Sequence, residues 1–463
     1  MKARKVIPLT LGTLFGAVVI FALVGTAGVA TWEYSNSDAF CTDACHNVHP
    51  ENAFAHKASQ HAEVGCVECH VGRISTFPKM VRKTGHMSHL WAVIFGYERP
   101  LTAPSMPPTR ESCESCHTTK PHLHNSIRVK RHFAPNEKNT ETKLILPVRT
   151  VGRTFHGGQS RGIDEHTRTK VRFIATDPQK QNIPWVEATR PDGTVVVYED
   201  ASARLDEAEI SAAEKHTMEC KDCHNLAGHP VKDPDQLIDE ALADGTLDRR
   251  FPYVKARAVE LLNTEFKDAD EARELVRKTW TSYQEDFPEL REKYPDAWER
   301  SEDLLEDQQE IMAGLLLRNQ FAAADISWRS FPDNAGHRNS PGCFRCHNGR
   351  HRTTEGNLLP VGCTQCHGIP IVTTRDRIGG DLLDLTDMRA HRSHNAQDFV
   401  FVHHELADEE NANCDGCHGK IEYGTNDRTF CANSGCHDSS WPGFGRAQDV
   451  QAWLREPFVR TTP

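Results

Sequence analysis

No cysteine in this chain stands outside a motif in which a second cysteine is followed directly by histidine. The 463 residues contain 16 Cys. All of them fall in eight motifs: CTDACH (Cys41, Cys45, His46), CVECH (Cys66, Cys69, His70), CESCH (Cys113, Cys116, His117), CKDCH (Cys220, Cys223, His224), CFRCH (Cys343, Cys346, His347), CTQCH (Cys363, Cys366, His367), CDGCH (Cys414, Cys417, His418) and CANSGCH (Cys431, Cys436, His437). With no thiol left over, a disulfide, a separate Cys-ligated zinc and a thiol nucleophile are excluded. A basic excess is lacking too: 54 Lys and Arg against 65 Asp and Glu give a formal net charge of −11, so no nucleic acid is expected as partner. After the N-terminal run no second long apolar stretch follows, and hydrophobic residues make up only 38%. One large side-chain core is therefore not expected.

The motifs that are present have their spacing fixed by a cofactor. In c-type haem attachment two thiolates add across the porphyrin vinyl groups, and the adjoining His ligates the iron. Six motifs have two residues between the cysteines, the first has three and the last four, so the two wider loops must bulge to seat both sulfurs. Zinc ribbons or a disulfide framework also pair cysteines. With 26 His in the chain, however, a His after all eight second cysteines would arise by chance about once in 10^10. The reading is eight covalently bound haem c groups, iron included, wrapped by a mainly α-helical, loop-rich multihaem cytochrome c fold.

Lys2, Arg4 and Lys5 precede an uncharged run from Val6 to Ala30, followed by Trp32 and Tyr34. That run is long enough to span a bilayer as one transmembrane helix, with the basic end in the cytoplasm and the haems outside. Gly28-Val29-Ala30 also fits a signal cleavage site. The expected divisions are 1–35 (cytoplasmic tip and anchor), 36–125 (three haem motifs), 126–215 (a Cys-free insert), 216–230 (fourth haem), 231–335 (helical spacer), 336–370 (haem pair) and 371–463 (C-terminal haem pair). Ile183 to Glu199 reads as a β-hairpin around Pro-Asp-Gly, forming a small cap. Helical periodicity covers 236–243, 253–265, 270–286 and 296–317.

Subtracting the eight proximal His from 26 leaves 18, more than the eight needed to give every iron a second His. The candidate distal ligands are His61, His122, His156, His166, His229, His337, His351, His394 and His403. His391 and His404 are further candidates, and Met80, Met87 and Met106 are alternative axial ligands for the first haems, ranked below the histidines. His229 follows His224 too closely to reach the opposite face of the same porphyrin, so a neighbouring haem is its target. His337 and His351 are read as crossing between the haems at 343–347 and 363–367. Bis-His closure leaves no site for substrate and suits electron transfer.

The single anchor, the early haem motif, a His about five residues before CVECHVG and the basic linker to CESCH resemble the NapC/NirT family of membrane-anchored quinol dehydrogenases. Residues 1–370 resemble its larger multihaem inner-membrane members from metal-reducing bacteria. The resemblance implies a NapC/NirT-like triple-haem module at 36–125, quinol oxidation at the first haem and electron delivery to periplasmic cytochromes or a reductase. It also implies a bacterial inner-membrane location, with self- or hetero-assembly left open. The family carries a Lys and an acidic residue in the linker near the quinol pocket; Lys79 and Lys83 match the former. No acidic residue lies between Lys79 and Tyr97, so His86 or His89 is the expected proton acceptor, or else a distal haem ligand. Two departures stand out: CTDACH lacks the Met that the family places two residues after its first motif, and there are eight motifs where four or five are usual. The alternative function is a terminal reductase of nitrite, hydroxylamine or a sulfur oxyanion. Such enzymes need an open iron position, often with Lys as proximal ligand, and the chain has no CxxCK.

Overall fold

The computed structural model describes residues 6–45, 50–85, 91, 94–96, 106–117, 125–150, 162–293, 295, 301–321, 326–337, 340–361, 363–368 and 371–374. It divides into two compact units, one of residues 1–118 with 227–230, the other of 119–226 with 231–463.

The first unit begins with α1 (Val6–Ser35). At about 1.5 Å per residue this helix exceeds the roughly 30 Å of a bilayer core. Its Leu14, Phe15, Ile20 and Phe21 are all exposed, as lipid contact requires. Among the described residues it is the one helix long and apolar enough to cross a membrane. A π-helical turn, Phe40–Cys45, follows. Its wider i→i+5 spacing takes up the extra residue between Cys41 and Cys45. Next come α2 (Pro50–Lys57), α3 (Cys66–His70) and α4 (Thr76–Gly85). In α3 the i, i+3 spacing puts Cys66 and Cys69 on one face with His70 one residue on.

The second unit contains more β structure than the single hairpin expected. β1 (Ser126–Phe133) and β2 (Glu141–Val148) pair antiparallel, and β10 (Ile371–Thr374) joins β2. The expected hairpin is β4 (Trp185–Thr189) with β5 (Val195–Asp200), but these strands are the middle of a five-stranded sheet, not a cap. Its order is β6-β3-β4-β5-β9, with β3 at Lys170–Ile174, β6 at His216–Thr217 and β9 at His351–Arg352. Val171, Phe173, Ile183, Val186 and Tyr198 form its core. A further pair, β7 (Gln320–Phe321) and β8 (Ile326–Ser327), completes the described strands.

Between the fourth and fifth motifs lie α5 (Pro234–Asp244), α6 (Val254–Leu262), α7 (Ala269–Asp286) and α8 (Ser301–Asn319). Local chemistry sets the ends of α5. Asp233 accepts the Gln236 N–H, Pro234 occupies the first turn, and Gly245 takes φ +84° just past the end. Ile238, Leu242, Val254, Leu262, Val276, Trp280, Met312 and Leu316 pack these helices together, with Phe133 of β1 in the same core.

Candidate functional site

In the first unit three haem motifs are tied to the end of α1. Asp38 Oδ1 accepts the Cys66 N–H at 2.8 Å, and the Cys41 and Cys66 thiols lie within hydrogen-bonding reach of each other. Arg82 of α4 donates to the Val71 carbonyl at 2.5 Å and to Glu111 at 2.9 Å, while the Arg73 N–H donates to the Glu111 carbonyl at 2.7 Å. The exit of the second motif and the entry to the third are thereby joined. Lys83 reaches back to the Ser35 carbonyl and, at 3.2 Å, its hydroxyl. Its ammonium stands 5.4 Å from the Trp32 ring centre, a cation at the negative end of the anchor helix. Lys79 is half-buried on the same helix. With Arg82 and Lys83 turned onto this framework, α4 leaves Phe77, Met80 and Val81 exposed; Trp91 and Phe95, stacked at 5.7 Å, are exposed as well.

The decisive geometry is between imidazoles. An iron holding two axial nitrogens at about 2 Å each places the two ring centres about 6 Å apart. Four proximal His face a second His at that distance. His70 faces His229 at 6.0 Å, His117 faces His61 at 6.0 Å, His347 faces His166 at 5.8 Å and His367 faces His337 at 6.5 Å. The residues present therefore fit the group that the motifs imply.

Backbone carbonyls hold the rings in place. Nδ1 of His229 lies 2.8 Å from Asn52 O, that of His61 3.1 Å from Ala227 O and that of His166 2.9 Å from Ile163 O. Nδ1 of His347 lies 2.6 Å from Pro360 O, and that of His367 2.8 Å from Gly368 O. A carbonyl only accepts, so each Nδ1 carries the hydrogen and Nε2 keeps its lone pair for a metal. At four of the paired rings burial favours the neutral form: it pushes His347 and His337 down to about 4 and lowers His229 and His367.

His351 is different. It was expected to cross between haems, yet it is fully buried in β9 with Nδ1 at 3.0 Å from Asn348 Oδ1 and Nε2 at 2.7 Å from Ile183 O. Both nitrogens are committed to the protein, so it serves the five-stranded sheet. His56, by contrast, was not singled out in the sequence, and its ring lies 5.9 Å from that of His229. Its only sequence signal is a position five residues before His61.

The turn of the fourth motif, Cys220–Cys223, and that of the fifth, Gly342–Arg345, are joined by hydrogen bonds. Gly342 has φ +50°, and a Cβ there would stand 1.8 Å from the Gly336 carbonyl oxygen, so only glycine permits the turn that admits Cys343. His46, His86, His89, His122, His156, His394 and His403, Met87, and Cys414, Cys417, His418, Cys431, Cys436 and His437 lie outside the described residues.

Comparison with known proteins places this geometry. Residues 2–103 match the NapC/NirT cytochrome c family, N-terminal region. The chain is 33% identical over 358 residues to the cytochrome c-type protein ImcH of Geobacter sulfurreducens, covering 76% of this chain and 69% of that protein. No solved structure matches. Cysteine-histidine motifs on short turns, imidazoles paired across about 6 Å and likeness over most of both chains lead to one conclusion: this chain belongs to the NapC/NirT-type multihaem c-type cytochromes, membrane-anchored electron-transport proteins with covalently bound haem.

Proposed function

We propose that the chain is an octahaem quinol dehydrogenase of the bacterial inner membrane, with its haem-bearing part in the periplasm, passing electrons from membrane quinol to periplasmic cytochromes or a reductase. The observation that carries this reading is the set of opposed imidazoles whose Nδ1 is committed to a carbonyl. Held this way, His229, His61 and His166 would turn Nε2 toward His70, His117 and His347, and His367 would turn its own toward His337, so that paired side chains of the chain itself would hold each of these irons from both sides. Haem iron, when bound, exchanges one electron at a time and, with both axial positions filled, admits no substrate. His351 is left out of the ligand set, and His122, His156, His394 and His403 stand as ligands for the remaining sites.

The entry end is the junction of α1 and α4. The exposed apolar face of α4 lies on the membrane surface, while Lys83 fixes that helix to the end of the anchor beside the first motif. Lys79 and Lys83 bind the quinol oxygens. His86 or His89 accepts the protons released, because an imidazole near pKa 6.5 is neutral and basic at the working pH.

The test is direct. Full-length protein extracted in detergent is oxidised, mixed anaerobically with a quinol analogue, and followed at the haem absorption bands. Reduction is expected on mixing. Protein that stays oxidised with the quinol but is fully reduced by dithionite would defeat the proposal.

A further inference from the structure

Arg345 stands between the two cysteines of CFRCH, and its side chain is 7% exposed. Its guanidinium spends three donors on backbone carbonyls: Nε to Gly342 O at 2.9 Å, Nη1 to Lys180 O at 3.0 Å and Nη2 to Asp222 O at 2.6 Å. Asp222 belongs to the fourth motif, CKDCH. Its carboxylate is engaged elsewhere, by Lys180 Nζ at 2.9 Å and by the Glu219 N–H at 2.8 Å. Among the described residues no carboxylate pairs with Arg345. Burying a guanidinium without an anion costs stability, offset here only by carbonyl dipoles.

The cation lies beside the attachment points of two haems. Arg345 directly precedes Cys346 and lies two residues after Cys343, and the Asp222 carbonyl that its Nη2 holds belongs to the residue just before Cys223. The adjacent Phe344 points to the next site: its ring stacks on His337 at 4.5 Å and 19°. The two residues between these cysteines thus tie the fifth site to both of its neighbours.

We propose that Arg345 is a positioning and charge-setting residue that clamps the fourth and fifth haem-binding turns together and raises the reduction potential of both haems through its buried cation. The inference rests on the electron-transfer reading above. A positive charge fixed in a low-dielectric interior favours the reduced iron, which carries one positive charge fewer.

Full-length protein is compared as wild type, Arg345→Gln, Arg345→Lys and Asn334→Asp. Asn334 Nδ2 donates to the same Asp222 carbonyl at 3.1 Å; Asp at that position gives up this one bond and adds a counter-charge, while the three Arg345 hydrogen bonds that form the clamp are kept. Peptide mass spectrometry first establishes haem on Cys220/Cys223 and Cys343/Cys346, and spectropotentiometry then reads the potentials. In Arg345→Gln the reduced-to-oxidised ratio of two haems at a fixed potential is expected to fall at least tenfold, or 59 mV for one electron. Asn334→Asp is expected to move the same two haems in the same direction, and Arg345→Lys to keep them within threefold. Unchanged potentials in Asn334→Asp, a fall in Arg345→Lys as large as in Arg345→Gln, or loss of haem from both Arg345 variants would overturn the proposal. Bare cysteines in the wild type would instead bring down the electron-transfer reading itself.

Discussion

The imidazole of His229 lies 6.0 Å from that of His70, with 51° between the ring planes. In sequence His229 follows His224, the proximal residue of another motif, yet residues 227–230 fold with the N-terminal unit. His229→Ala is therefore expected to disturb the second haem and leave the fourth intact. Electron paramagnetic resonance should show one low-spin centre becoming high-spin at unchanged haem content. His351→Ala should leave every spin state alone. It should lower stability by about 1–3 kcal/mol, since the Ile183 carbonyl and Asn348 side chain lose a buried partner.

Lys83 joins α4 to the last turn of the anchor. Lys83→Met is expected to slow quinol-driven reduction about tenfold, equivalent to about 1.4 kcal/mol in the barrier. Dithionite reduction should be unaffected. Stopped-flow absorbance with each reductant separates the two effects.

Stability of the helical segment rests on a buried charge cluster. Lys255 is 1% exposed and lies 2.7 Å from carboxylate oxygens of both Asp235 and Asp239. Lys255→Met leaves Asp239 buried with His132, at 2.9 Å, as its one ionic partner among the described residues. Loss of one member of a buried pair costs about 3–5 kcal/mol, to be read as a lowered denaturation midpoint with the haem spectrum preserved.

Acid sensitivity has a named contributor in Glu141. Arg131 donates to it at 2.6 Å and Arg249 at 2.7 Å. The Arg131 hydrogen bond foremost holds its carboxyl below the ordinary 4.5. Because the folded value is the lower one, this stabilisation is complete above the unfolded value and is lost as pH falls through the folded value. Glu141→Gln should flatten that part of the acid limb in denaturant unfolding measured from about pH 6 to about pH 3.

Much of this was legible in the sequence because the chemistry is local. A Cys-x-x-Cys-His motif carries its attachment geometry within five residues, and the apolar run of α1 and the 3.6-residue periodicity of α5 to α8 are properties of contiguous stretches. The β1–β2 hairpin was missed because Ile127 and Val129 face outward among charged residues, so no apolar face marks the strand. The five-stranded sheet depends on β9, two residues contributed by the loop after the fifth motif. Which imidazoles face one another depends on contacts across the fold: nothing near His229 in sequence indicates the Asn52 carbonyl, and nothing near His351 indicates the Ile183 carbonyl that takes up its Nε2.

The central claim is that the irons are closed by paired histidines and carry electrons without turning over a substrate. Spin quantitation of the fully oxidised, full-length protein by electron paramagnetic resonance tests it most directly. Bis-imidazole ligation predicts low-spin iron at every site except the first, unchanged by added nitrite or hydroxylamine. High-spin iron at several sites, shifting on addition of either compound and accompanied by its reduction, would contradict that claim and favour a terminal reductase.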